Sequence, residues 1–185
     1  MDPLYCLPHG RQRVDLASRA ILGHNSAMSE VLDAPTETLQ IGQESLIDAF
    51  DEAMVLWAQH WKETEQAYRA SPMNPDYDQF KALEIAGWSR YFTARLGGKL
   101  VGHLYFIVYP GRHTKTLSAV EDFYFFLPEH RKGMDALKLL RYATGCLKGE
   151  GCDQVGMSSK LTSNRDIDPL LRRAGYRHVA NFYVI

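Results

Sequence analysis

The run from Val120 to Leu137 gathers the side chains best suited to chemistry: Glu121 and Asp122, the apolar Phe123-Tyr124-Phe125-Phe126-Leu127, then Pro128-Glu129-His130 and Arg131-Lys132-Gly133-Met134-Asp135-Ala136. A strand feeds through Pro-Glu into a basic turn with glycine, and a helix follows at once. The first amides of a helix lack internal partners and sit at the positive end of its dipole. Small residues let a ligand approach that backbone, and Arg131 and Lys132 add charge, so the segment could cradle a pyrophosphate. An ordinary strand-to-helix turn with surface bases would look the same, and the segment alone leaves both readings open. Glu121 and Asp122 are adjacent, so in a regular strand they point to opposite faces and only one can face a cleft. A buried carboxylate between Val120 and Phe123 would have a raised pKa.

Other reactive side chains carry less. His24, His60, His130 and His178 show no ligand spacing, so no metal site is expected. His103 follows Gly102 and reads as a hydrogen-bonded structural histidine, and His113 follows the same strand. Cys146 and Cys152 read as small core residues rather than nucleophiles, and Trp57 and Trp61 as core.

These residues need elements to hold them. Leu46, Ile47, Phe50, Met54, Trp57 and Trp61 recur at three- and four-residue steps, predicting a helix over 44–69. Asn74-Pro75-Asp76 opens a second helix that ends at Gly87. Residues 89–96 and 99–109 read as strands joined by a Gly97-Gly98 hairpin, and 117–127 as another strand. A helix over 132–148, a strand over 154–158, a helix over 166–174 and a last strand over 176–185 complete the order. The class is α/β, or α+β, with a mixed, mostly antiparallel central sheet flanked by helices. Residues 1–40 are a poorly patterned N-terminal extension, and 41–185 form a single domain.

The chain has 21 basic and 22 acidic residues, a net charge of −1, which argues against broad nucleic-acid binding. That average hides a split: residues 29–86 hold 12 acids and 3 bases, whereas 128–177 hold 6 acids and 10 bases. Three widely spaced cysteines fit neither a disulfide framework nor a zinc ribbon. No apolar run approaches the roughly 18 residues of a membrane-spanning helix. Arg11, Arg13, Asp15 and Arg19 stand where a signal peptide would need an apolar stretch, so a cytoplasmic protein with no membrane partner is expected.

With those elements in place, the segment resembles the acetyl-CoA motif of the GNAT family of acyl-CoA N-acyltransferases. Pro128-Glu129-His130-Arg131 aligns with the lead-in, Arg131 with the first motif position and Ala136 with the last. Met134 stands where the first glycine is usual, and Gly133 comes one residue early. Gly97-Gly98-Lys99-Leu100-Val101-Gly102 resembles the family's second hairpin, and Leu171-Arg172-Arg173-Ala174-Gly175-Tyr176 its late helix. The resemblance spans about residues 76–185, and the stretch from Asn74 to Gly133 also resembles a subgroup common in phage and prophage genomes.

The resemblance implies a GNAT-like fold and an acetyl-CoA-dependent N-acetyltransferase, in which an amine attacks the thioester directly. The fourth strand and its neighbour splay apart. Backbone groups near Phe125, Phe126 and Leu127 hold the pantetheine, and the amides of Arg131, Lys132, Gly133, Met134, Asp135 and Ala136 hold the pyrophosphate. Asp122, ahead of Glu121, is the general base. The family's usual acid position is Leu171 here, leaving Tyr176, or water, to protonate the thiolate. The acidic helices flank the acceptor groove and steer a cationic amine, small molecule or protein, through Glu44, Asp48, Asp51 and Glu52. The family's habit of pairing through sheets makes a homodimer one expected assembly. Other readings are a non-catalytic binding protein of the same fold, which the Met134 and Leu171 departures favour, and a phage nucleic-acid modifier or antagonist of a host system.

Overall fold

The computed structural model describes residues 37–66, 69, 71–160 and 166–181. The order is β1 (Gln40–Glu44), α1 (Phe50–Thr64), α2 (Tyr77–Ile85), β2 (Ser89–Leu96), β3 (Lys99–Pro110), β4 (Leu117–Phe126), α3 (Asp135–Gly149), β5 (Cys152–Gly156) and α4 (Asp168–Ala174). The strands lie in that order across one sheet. β1 to β4 pair antiparallel, and β5 joins β4 in parallel. The mixed, mostly antiparallel sheet is thus as the sequence predicts.

Alternation along the strands divides the core. Tyr91 and Tyr105 pack with Phe123 beneath Ala53 and Trp57 of α1. Phe92, Leu104, Phe106 and Phe126 pack mainly against Leu139, Leu140, Ala143 and Leu147 of α3. Gly102 faces Phe126 across the β3–β4 ladder, and a Cβ there would lie 2.6 Å from the Phe126 ring. α2 is capped by Asp76, whose carboxylate accepts from the Gln79 amide at 3.0 Å. Among the described residues no helix is long and apolar enough to cross a membrane.

Two elements differ from expectation at the chain's ends. Residues 40–44 are an edge strand, and the helix predicted over 44–69 occupies only 50–64. The strand has just one strong apolar residue, Ile41, so its period is invisible and its stability comes from pairing to β2. The strand predicted over 176–185 is absent from the described part, 176–181, where Val179 is 79% exposed; residues 182–185 lie outside the described residues. Arg177 and His178 break any apolar alternation there. Most of the predicted N-terminal extension also lies outside the described residues.

Candidate active site

The parallel pairing of β4 and β5 ends at Val120 and Gly156. Beyond it β4 runs on to Phe126 paired with β3 alone, so its edge toward β5 is unpaired there among the described residues. A cavity of about 310 Å³ opens there, bounded by β4, the start of α3, the last turn of α1, the chain after β5 and the start of α4.

Both predicted carboxylates line this cavity, against the expectation that only one could. The reason is a β-bulge: Tyr105 pairs with Phe123 and Phe106 with Glu121, which leaves Asp122 as an extra residue. A bulge breaks strict alternation and re-aims its side chains. Glu121 accepts from the Ser158 amide at 3.1 Å and the Ser158 hydroxyl at 2.7 Å. Burial raises its carboxyl pKa; the Ser158 bonds pull it down and the Asp122 charge adds to the rise. Asp122 is raised chiefly by burial, opposed by Arg69, although its edge is exposed to solvent. Asp122 accepts no hydrogen bond from the described residues.

The turn after β4 places the other predicted residues. Pro128–His130 form a short 3-10 turn, and the Arg131 amide bonds Pro128 O at 3.3 Å. The amides from Lys132 to Leu137 find no acceptor among the described residues. Met134 stands at the N-cap of α3 with no capping side chain, so the helix N-terminus is open. Gly133, at φ 94°, takes the left-handed bend within this row, and Gly133 and Ala136 line the cavity. The run of amides with no acceptor among the described residues therefore covers 132–137 rather than the predicted 131–136, because the 3-10 turn consumes the first amide. Lys132 and Met134 are exposed, and Asp135 is paired to Lys138 at 3.0 Å.

The Arg131 side chain turns inward instead of joining the exposed cradle. Its Nε donates to Phe126 O at 2.6 Å, Nη1 pairs with Glu63 of α1 at 2.8 Å, and its guanidinium lies 4.7 Å from the Phe125 ring centre. The Phe126 carbonyl is thus engaged, and the Leu127 amide donates to Val101 O at 2.9 Å. Two of the predicted backbone handles for the pantetheine already have partners. Phe125 is buried and stacks on His60 at 5.1 Å.

Tyr176 is not in the cavity lining; its hydroxyl lies 2.7 Å from Thr144 Oγ1, and burial raises its pKa. Gly175 closes α4 and turns Tyr176 back, its amide bonding Leu171 O at 3.0 Å. The phenol that does line the cavity is Tyr124, which donates to Ala136 O at 3.0 Å and is likewise raised by burial. Tyr124 stood in the strand read from sequence, but nothing in the spacing set it apart from four neighbouring aromatics. His60 and Lys160 also line the cavity unforeseen. Burial first, then the Lys160 charge, brings the His60 pKa down to about 4, so its ring is neutral at pH 7.

His103 is buried as a structural histidine, with Nδ1 3.1 Å from the Tyr91 hydroxyl. The acids expected to steer an amine are elsewhere. Glu44 and Glu52 bind Arg95, and with Asp48 and Asp51 they lie at or before the first turn of α1, whereas the cavity meets its last turns.

No family model and no curated protein matches this sequence. Solved structures do match the fold. The ribosomal-protein-alanine N-acetyltransferase of Brucella melitensis biovar Abortus 2308 superposes with TM-score 0.63 at 18% identity, covering 80% of this chain and 98% of that one. An aminoglycoside acetyltransferase from an uncultured soil metagenomic sample, meta-AAC0020, gives 0.61 at 17%, over 80% and 95%. The glucosamine-6-phosphate N-acetyltransferase of Arabidopsis thaliana gives 0.62 at 12%, over 80% and 98%. The fold is that of the GNAT N-acetyltransferases.

Proposed function

We propose that this GNAT-fold chain is an acetyl-CoA-dependent N-acetyltransferase acting on an amine. The observation that carries the reading is the row of amides from Lys132 to Leu137 with no acceptor among the described residues, two of whose residues, Gly133 and Ala136, line the cavity that holds Glu121 and Asp122. Those amides and the dipole of α3 suit a pyrophosphate. The unpaired edge of β4 suits an extended amide-bearing arm, which would compete with Arg131 for the Phe126 carbonyl.

Acetyl-CoA, when bound, supplies the thioester on which the amine acts. Asp122, with no hydrogen bond from the described residues, takes the proton from the incoming ammonium. Ser158 holds Glu121 in place beside it. Tyr124, rather than Tyr176, offers the phenol on the cavity wall for protonating the leaving thiolate. Aromatic Phe125 and neutral His60 make a low-polarity wall where an uncharged amine is favoured.

Calorimetric titration with acetyl-CoA, followed by thiol release across an amine panel, tests this. Wild type binds and releases thiol with at least one amine. Lys132→Glu, exposed at the cradle, weakens binding about tenfold, or ~1.4 kcal/mol, without loss of fold. No binding by the wild-type chain would overturn the proposal.

A further inference from the structure

The cavity already contains an amine belonging to the chain itself. Lys160 lines it together with Glu121 and Asp122. Its ammonium is ion-paired to Glu65, in the turn that follows α1, and its charge reaches His60 across the cavity. The position is anchored nearby: two residues earlier, Ser158 grips Glu121 through both its amide and its hydroxyl. Two residues span at most ~7 Å of chain, so this clamp keeps Lys160 close to the carboxylates. Glu65 is itself buried and also binds Arg69 at 2.7 Å, which fixes the acid that holds the lysine. Half-burial lowers the Lys160 pKa and so enlarges its neutral, nucleophilic fraction.

The geometry points to Lys160 as an acceptor in its own right: the chain acetylates this lysine in cis from acetyl-CoA. The inference rests on the acetyltransferase reading given above. The ammonium first passes a proton to the Glu65 carboxylate that holds it, and from there to solvent. The neutral Nζ then attacks the thioester carbonyl. A C–N bond forms, the C–S bond breaks, and one of the two amine protons leaves with the thiolate as free thiol while the other stays on the amide nitrogen. The product is an uncharged amide that can no longer form the ion pair with Glu65.

The full chain is incubated with acetyl-CoA and no added amine, then followed by intact mass and peptide mapping. One acetyl group is expected, on Lys160, gained about tenfold faster than on any other lysine, with a rate constant independent of protein concentration. Urea-unfolded chain should label Lys160 no faster than the rest. Lys160→Arg keeps the positive charge opposite Glu65 and should gain no fast label. Acetyl-CoA binding with no preferential label on Lys160, or a rate that rises with protein concentration, overturns this inference and leaves the acetyltransferase reading standing. Failure to bind acetyl-CoA overturns both.

Discussion

At the residue scale, the two neighbouring carboxyls differ in what holds them. Glu121 is fixed by two bonds from Ser158, whereas Asp122 sits at the bulge with its edge in solvent. A proton acceptor must meet a mobile ammonium, which favours the less encumbered group. Asp122→Asn is therefore expected to lower kcat about 10²–10⁴-fold. Glu121→Gln, which keeps an acceptor oxygen for Ser158, should lower it less. Burial raises both carboxyl pKa values, so the wild-type rate should climb with pH through a point above that of the same carboxyl free in water. Steady-state rates across pH for the three proteins check this; equal, near-normal rates in both variants would remove both from the chemistry.

At the element scale, α1 is fastened to the sheet by Trp57. Its ring stacks on Phe80 of α2 at 5.2 Å and meets Phe123 of β4 edge-on at 5.0 Å. It is 7% exposed, and its helix brings His60 and Glu63 to the cavity. Trp57→Ala should cost about 3–5 kcal/mol by chemical denaturation. A value under 1 kcal/mol would mean that α1 is held by something other than this aromatic stack. Sequence pattern showed Trp57 as core because its spacing repeats with Phe50 and Met54. The middle strands were equally legible, since dense aromatic and β-branched runs and the Gly97-Gly98 turn mark them. β1 was not, because an edge strand draws on backbone pairing that leaves little trace in side-chain type. The cavity was half legible. The open helix end after Arg131 follows from local chemistry, as do the carboxylates. The bulge does not, because its register is set by the pairs Phe106–Glu121 and Tyr105–Phe123, whose partners lie far apart along the chain. The inward turn of Arg131 depends on Glu63, and the place of Lys160 on Glu65, contacts between distant segments that no local pattern encodes.

At the scale of the whole molecule, two histidines tie stability to pH. His60 has its pKa lowered to about 4 and His103 is held well below the ordinary histidine value, both first by burial. The unfolded chain binds these protons near 6.5 and the folded chain does not. The stability they confer is therefore fully present above pH 6.5 and lost as pH falls toward 4. His60→Phe preserves the stack on Phe125 and removes one titrating ring. Its unfolding free energy should fall less than that of wild type between pH 7 and pH 4.5, by about 2 kcal/mol after allowing for partial exposure. Identical acid sensitivity in the two proteins would place the ring in contact with water.

The bulge in β4 also has an arithmetic. By register, Ala119 and Glu121 pair with Val108 and Phe106 on one face, while Phe123 and Phe125 pair with Tyr105 and His103 on the other, so odd numbers change sides at Asp122. Asp122 is thus a parity switch inserted into an otherwise regular strand. Excising it would leave every other side chain of β4 on its present side and restore an unbroken ladder to β3. The scaffold and the reactive group are separable by a single residue, so a lineage with this strand could gain or shed the carboxylate without re-sorting its core.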